Sequence, residues 1–189
     1  SINPYILFAE ILKIENKFKD AEKVLLKAIK IDPNHGDLLY NLSLLYFALR
    51  NFDYALVYID KAIKLSINND IYKLLKSEIY INKFNIDEAL YLLEDLNNND
   101  RIKNDCNKEV RINILLADAF LKKRKYEEAE IILLKLIKKY QGLELAYLNL
   151  SILYNHKNQL SKSIKILKKG INVSPNFMPF YKNLATFYR

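Results

Sequence analysis

The sequence contains few of the residues that interrupt helices: 3 glycines and 4 prolines among 189 residues. Because glycine costs about 1 kcal/mol and proline about 3 kcal/mol inside a helix, long segments without them favour helices over strands. The chain also has no run of about 18 apolar residues, so we expect no membrane-spanning helix. The single cysteine, Cys106, excludes an internal disulfide. A fold that needs no oxidising compartment leads us to expect a cytoplasmic protein.

The groupings of side chains that carry catalysis are also missing. The two histidines, His35 and His156, have no cysteine or acidic partner at metal-ligand spacing. The three glycines stand alone, so there is no phosphate-binding loop. Cys106 has no activating base in its flanking sequence. We therefore predict that the chain is not an enzyme and holds no cofactor and no metal.

The formal charge is +8, with 25 lysines, 5 arginines and 21 asparagines. Lysine, asparagine, isoleucine and tyrosine share A/T-rich codons, so a biased genome explains the charge as readily as an anionic ligand does. We do not expect nucleic acid to be the main partner. The lysine-rich segments 122–125 and 165–169 keep nucleic-acid binding as an alternative.

Three columns of residues recur along the chain in register. Members of a small-residue column lie 34, 34, 40 and 34 residues apart, at Ala21, Ala55, Ala89, Ala129 and Ser163. A large apolar column contains Phe18, Phe52, Ile86, Tyr126 and Leu160. A third contains Leu12, Tyr46, Tyr80, Phe120, Tyr154 and Tyr188. Columns in register predict an internal repeat, and the longer interval indicates extra residues between the third and fourth units.

A period of 34 with small and aromatic residues at fixed offsets resembles the tetratricopeptide repeat, a helix–turn–helix unit. The first unit carries the resemblance through Tyr5, Phe8, Ala9, Leu12, Phe18, Ala21, Ala28 and Pro33. The third and fourth units match less well, since Leu96 and Leu136 replace a small residue. The resemblance implies an all-α fold, a right-handed superhelical solenoid of antiparallel helix pairs, with about five units and one C-terminal helix.

The expected units span residues 2–35, 36–69, 70–103 with extra residues to about 109, 110–143, 144–177 and a half unit 178–189. Together they form a single repeat domain over residues 1–189. Because the chain starts at Ser1 without an initiator Met and stops in a half unit, we expect it to be a fragment of a longer protein. Self-association through the C-terminal helix is predicted to use Phe180, Phe187 or Tyr188.

Close helix packing explains the small-residue columns. A small side chain at a helix crossing admits a large one from the other helix, and added bulk there costs about 1–3 kcal/mol. We interpret Ala9, Ser43 and Gly170 in this way, and the tyrosine column as packing rather than a cofactor site. The polar stretch 97–107 is predicted to be a longer connection that contains Cys106.

The resemblance also implies that the first helices of successive units line a groove where ligands bind. In that register the groove contains Tyr40, Asn41, Leu44, Phe47, Leu74, Glu78, Arg111, Ile114, Asp118, Leu148, Asn149, Ile152 and Asn183. Apolar residues are numerous for a solvated face, and exposed apolar patches mark interaction sites. We therefore predict a scaffold that binds a partner peptide or helix in the groove.

The segments 40–46, 148–154 and 182–188 share one pattern, Asn-Leu-small-x-x-Tyr. This pattern resembles the asparagine ladder of repeat arrays joined to protein O-glycosyltransferases. A side-chain amide donates and accepts, so it can pair with a peptide backbone without reading its sequence. Pairing of these asparagines with adjacent helices or water stays open. So does the alternative that the chain is the peptide-recognition arm of a larger enzyme, such as a glycosyltransferase.

Overall fold

A computed structural model describes residues 2–99, 102 and 105–188 of the protein. These residues contain no strand, which confirms the predicted all-α fold. The helices are α1 (Asn3–Ile14), α2 (Phe18–Ile31), α3 (Gly36–Ala48), α4 (Phe52–Leu65), α5 (Asp70–Asn82), α6 (Ile86–Asn97), α7 (Cys106–Lys122), α8 (Tyr126–Lys139), α9 (Glu144–His156), α10 (Leu160–Val173) and α11 (Met178–Phe187). The chain divides into two compact units, Ser1–Leu92 and Leu93–Arg189.

The second helix of each hairpin buries one narrow stripe of small and branched residues. In α2 the stripe is Ala21, Leu25 and Ala28, at the spacing of one helix face. Equivalent buried stripes lie in α4, α8 and α10, at Ala55, Ile59, Ala62, Ala129, Leu133, Leu136, Ser163, Leu167 and Gly170. The opposite face of each helix contains exposed lysines, in α4 and α8 beside exposed apolar residues, so each of these helices is amphipathic.

A left-handed residue follows each of the first five first helices and turns the chain into the second helix. These residues have φ between 57° and 62°, and none is glycine: Asn16, Arg50, Phe84, Arg124 and Asn158. In each turn the next amide donates to a carbonyl in the last turn of the helix, as Asn51 does to Tyr46 at 2.8 Å. This is the Schellman arrangement, which satisfies carbonyls that the helix end leaves free.

The first unit has a continuous core formed by α1 to α5. Its fully buried side chains include Leu25, Leu38, Leu42 and Ile59. At the crossing of α3 and α4, the Ser43 hydroxyl donates to the Ala55 carbonyl at 2.8 Å. Position 43 therefore lies where two helices meet, and the prediction that it receives a bulky neighbour stays a prediction.

Close packing at Gly170 holds the last helix of the second unit. A Cβ at residue 170 would lie 2.5 Å from the Phe180 Cζ atom. Phe180 is 0% exposed, so it is not available for self-association and that part of the prediction is wrong. The sequence predicted that Gly170 is small because of a close contact, and the Phe180 ring is buried because it packs against this glycine. Tyr188 is exposed, and its role in self-association stays a prediction.

The connection after α6 is shorter than predicted. α7 begins at Cys106 and has 17 residues, against 13 in α9, so part of the extra sequence extends a helix. Asp105 caps it by accepting from the amides of Asn107 and Lys108 at 3.1 and 3.2 Å. The prediction that placed Cys106 in the connection is therefore wrong. Residues 100, 101, 103 and 104 of that stretch lie outside the described residues.

Among the described residues, no helix combines the length and the apolar character needed to cross a membrane.

Candidate functional site

First helices lie against one another within each unit. In the first unit α3 contacts both α1 and α5, and in the second unit α7 contacts α9. The side chains between these helices therefore form two surfaces that can be compared with the predicted groove, one in each unit.

The first unit buries two of its six predicted groove residues. Asn41 is only 7% exposed, and its amide donates to the Asp37 carbonyl of the preceding turn at 2.9 Å. Leu74 is 1% exposed. The prediction that Asn41 and Leu74 line an open groove is wrong for both residues. A buried amide takes a partner nearby, and α3 itself supplies one to Asn41.

The burial of Leu74 follows from the two apolar faces of α5. One face consists of Tyr72, Leu75 and Ile79, which belong to the core of the first unit. Leu74, Ser77 and Ile81 form a second buried stripe with the same spacing. A helix that is apolar on most sides is buried on most sides. Of the other predicted groove residues in this unit, Tyr40, Leu44, Phe47 and Glu78 are half-buried.

None of the predicted groove residues in the second unit is buried. Arg111 is exposed, and the other predicted residues of α7 and α9 are half-buried: Ile114, Asp118, Leu148, Asn149 and Ile152. A cavity of about 390 Å³ between α7 and α9 brings three of them together: Asp118, Asn149 and Ile152. It is also lined by Leu121, Lys122, Arg124, Tyr126 and His156.

The Asn149 amide is free in this cavity. Within the part of the chain that the structure describes, its side chain makes no hydrogen bond. Asn113 on the neighbouring helix differs, since its amide donates to the Glu109 carbonyl at 2.8 Å. Asn183, one repeat after Asn149, lines an open depression of about 660 Å³ on α11. Its amide is likewise unpaired within the described residues, so two equivalent amides face outward in this unit.

Sequence reasoning did not identify Arg124 and Tyr126 as cavity residues. Arg124 lies in the left-handed turn after α7, and Tyr126 opens α8 in the large apolar column. The Tyr126 ring packs against the core and also stacks on His156, with centroids 6.1 Å apart and planes 12° from parallel. The available signal was the turn itself, which places residues 124 and 126 beside the C-terminal end of the first helix.

Charge is distributed unevenly between the units. Through Leu92 the chain has 12 lysines and arginines and 12 aspartates and glutamates, whereas from Leu93 it has 18 basic and 10 acidic residues. The whole formal charge of +8 therefore belongs to the second unit. Inside the cavity the Lys122 Nζ atom lies 3.1 and 3.2 Å from the two Asp118 carboxylate oxygens, so these charges offset each other.

A hydrogen-bonded contact joins successive hairpins in both units. In the second unit the Tyr154 hydroxyl donates to the Glu130 carboxylate at 2.8 Å, and Lys157 donates to its other oxygen at 3.0 Å. Tyr46 donates to Glu22 in the same way in the first unit. Burial first, and then the bond to Glu130, raises the pKa of Tyr154 to about 12. These aromatic positions are therefore structural.

Burial opposes ionisation of Glu130, but the bonds from Lys157 and Tyr154 outweigh it and lower the pKa of this carboxyl. The described residues contain no group of three or more His, Cys, Asp or Glu side chains placed to hold a metal ion. What the open cavity offers is a set of hydrogen-bond donors and acceptors between apolar side chains, which suits binding.

Known proteins resemble the chain in sequence. A family profile described as "Tetratricopeptide repeat" matches residues 2–35, 110–138 and 145–177, and a second profile of that description matches residues 24–57. Human protein O-mannosyl-transferase TMTC3 is 28% identical over 180 residues, which is 91% of this chain and 19% of the human protein. The chain thus spans about a fifth of that relative, and the likeness agrees with the predicted resemblance to arrays joined to O-glycosyltransferases.

Solved structures show the same fold. A tetratricopeptide repeat protein from Parabacteroides merdae has a TM-score of 0.83 at 17% identity, covering 95% of this chain and 68% of its own. TTC0263 from Thermus thermophilus has a TM-score of 0.79 at 14% identity, covering 100% and 99%. YrrB, a repeat protein described as having an unusual peptide-binding site, has a TM-score of 0.64 at 20% identity, covering 97% and 91%.

Repeats of this kind form protein-interaction scaffolds. Profile matches cover half of the sequence, and the described residues form the expected helical hairpins. The chain belongs to the tetratricopeptide repeat family.

Proposed function

We propose that the second unit binds an extended segment of a partner protein across α7, α9 and α11. The free Asn149 amide in the cavity between α7 and α9 is the observation that carries this proposal. An amide can accept from a peptide N–H and donate to a peptide carbonyl, so it pairs with a backbone of any sequence. Asn183 is placed to repeat the contact one hairpin later.

Apolar side chains beside the asparagines supply the remaining contact area. Ile114, Leu148 and Ile152 are half-buried on the first helices of this unit. A segment that covers them removes apolar surface from water, at about 25 cal/mol for each Å². Amide pairing would then set the direction and register of the segment, and apolar contact would supply affinity.

A displayed library of random peptides tests the proposal. The wild-type chain is expected to enrich peptides, and Asn149→Ala with Asn183→Ala is expected to lose them, because both backbone contacts are removed. Asn172→Ala is the matched control, since Asn172 is an exposed asparagine on the second helix α10. Equal enrichment by the double variant and the control would refute the proposed role of the amides. Circular dichroism checks that each variant is folded.

A second candidate function is that the chain is the peptide-recognition arm of a larger enzyme. The human mannosyltransferase that it resembles is about five times as long as the matched region, which favours this idea. The complete reading frame tests it: a transferase domain encoded in the same frame supports the arm, and a frame without a catalytic domain refutes it.

A further inference from the structure

We propose that the segment bound by the second unit is acidic, and that one of its carboxylates enters the cavity between α7 and α9 to pair with Arg124. This inference rests on the proposed function and specifies the chemistry of the bound segment. It follows from the charges that remain unpaired in the cavity, from the charge of the whole unit and from the walls of the cavity.

Arg124 is the cation that the cavity leaves unpaired. Lys122 and Asp118 neutralise each other across 3.1 and 3.2 Å. The Arg124 guanidinium makes no hydrogen bond or ion pair within the residues that the structure describes. Its planar set of N–H donors matches a carboxylate in geometry and can bind both oxygens at once. The cavity therefore has a net positive charge and an unused anion-binding group.

The backbone at Arg124 is well fixed for this purpose. The Arg124 amide donates to the Leu121 carbonyl at 3.0 Å, and the Lys125 amide donates to the Phe120 carbonyl at 2.8 Å. A Schellman turn held by both bonds limits where the side chain can reach. Asn149 lines the same cavity, so a segment paired with its amide passes close to the guanidinium.

The net charge of the second unit also favours an acidic segment as the ligand. Its surplus of 8 basic residues attracts an acidic segment over a distance comparable to the Debye length, about 10 Å at moderate salt. Its first helices and the turns that follow them carry eight lysines and arginines against three carboxylates, Glu109, Asp118 and Glu144, and of these three Asp118 lines the cavity. The first unit has no such surplus, so this attraction distinguishes the second unit from the first.

An acidic peptide fits the cavity better than a nucleic acid does. Single-stranded nucleic acids need aromatic faces on which bases stack, and one face of Tyr126 is already covered by His156. Arg124 is the one cation lining the cavity that has no acidic partner among the described residues, which suits a single carboxylate rather than a continuous row of phosphates. A peptide can place one carboxylate at Arg124 and keep apolar residues against Ile152 and Leu121.

The test begins with the peptides that the displayed library enriches on the full chain. They are expected to be rich in Asp and Glu at one position, and Arg124→Gln is expected to lose this bias. The most enriched peptide is then compared with its Glu-to-Gln form by fluorescence anisotropy. We expect the acidic form to bind roughly five-fold more tightly at low salt, with a smaller difference at high salt, as for an exposed ion pair.

A matched variant separates the specific contact from general attraction. Lys165→Gln removes the same charge from the exposed outer face of α10. It is expected to retain the preference for the acidic peptide, whereas Arg124→Gln abolishes it. Circular dichroism confirms that both variants are folded.

The possible results distinguish an acidic segment, peptide binding without acidic preference and nucleic-acid binding. Enriched peptides without acidic bias, or a preference for acidic peptides that persists in Arg124→Gln, would refute the inference that the bound segment is acidic. The proposed peptide binding by the second unit would not be affected by either result. Failure to enrich any peptide would count against the proposed function itself. Single-stranded RNA that binds more tightly than the acidic peptide and depends on Arg124 would overturn the inference in favour of nucleic acid.

Discussion

Replacing Gly170 by alanine is expected to loosen the last helix. The added Cβ would lie 2.5 Å from Phe180 Cζ and 2.8 and 2.9 Å from the ring's Cε atoms, all well inside van der Waals contact. The ring cannot easily move away, because it is fully buried and packs edge-on against Phe177 with centroids 4.9 Å apart. Overpacking costs about 1–3 kcal/mol, and the better helix propensity of alanine returns about 1 kcal/mol. The free energy of unfolding should therefore fall by about 1 kcal/mol.

Urea denaturation measures this free energy, and amide hydrogen exchange shows whether protection is lost first in α11. Gly142→Ala is the control, because no heavy atom lies within 4 Å of its added Cβ. It should stabilise the chain by about 0.4–1 kcal/mol through the unfolded state. Phe180→Leu in the Gly170→Ala background should recover part of the loss. A Gly170→Ala variant that is more stable than wild type, as helix propensity alone requires, would refute the packing argument.

The remaining predictions concern the turns and the contact between hairpins. Arg50→Gly should raise the free energy of unfolding by up to about 1 kcal/mol, because φ is 58° at this residue. Asn158→Gly should raise it less, since asparagine tolerates a φ of 57° better than arginine tolerates 58°. Equal increases for the two variants in urea denaturation would contradict this reasoning. The lowered pKa of Glu130 implies stability that is present above the unfolded pKa of about 4.3 and is lost as pH falls through the folded pKa. Glu130→Gln should therefore make the free energy of unfolding fall less steeply on the acid side of a stability–pH curve. The pKa of Tyr154, raised to about 12, implies stability that is present below pH about 10 and is lost as pH rises toward 12. Tyr154→Phe should remove this alkaline loss of stability. An unchanged acid side of the curve in Glu130→Gln, or an unchanged alkaline side in Tyr154→Phe, would disprove the role of that residue.

The helical hairpins could be predicted because each depends on residues within one repeat, and the same requirement recurs in the next repeat. Ala21, Ala55 and Ala129 occupy the same place in second helices, and each is fully buried in the structure. Close packing tolerates only small residues there, so the spacing is visible in the sequence. Gly170 could be predicted for the same reason, although its partner Phe180 was assigned to the surface.

The candidate site was predicted only in part. Asn41 and Asn149 share the same local pattern, yet Asn41 is buried and bonded to the Asp37 carbonyl, while the Asn149 amide is free within the described residues. The residue before each asparagine differs, Tyr40 in one case and Leu148 in the other, but this difference does not by itself show which amide is buried. Around Asn41, Tyr72 from the next hairpin stacks on Tyr40 with centroids 5.3 Å apart and narrows the surface. Contacts between residues far apart in sequence decide which amide stays open.

The sequence by itself determined that this protein is a series of helical hairpins, because helix periodicity and the need for small residues at crossings act within one repeat. It also determined the positions of the first helices, and hence which residues could face a ligand. Only the tertiary structure decided which of them are buried and which are accessible to solvent. α5 buries Leu74 on a second apolar face, whereas α7 and α9 leave a cavity in which Arg124, Tyr126 and Asn149 meet. Solvent access depends on side chains contributed by other helices, and a pattern within one repeat does not contain that information.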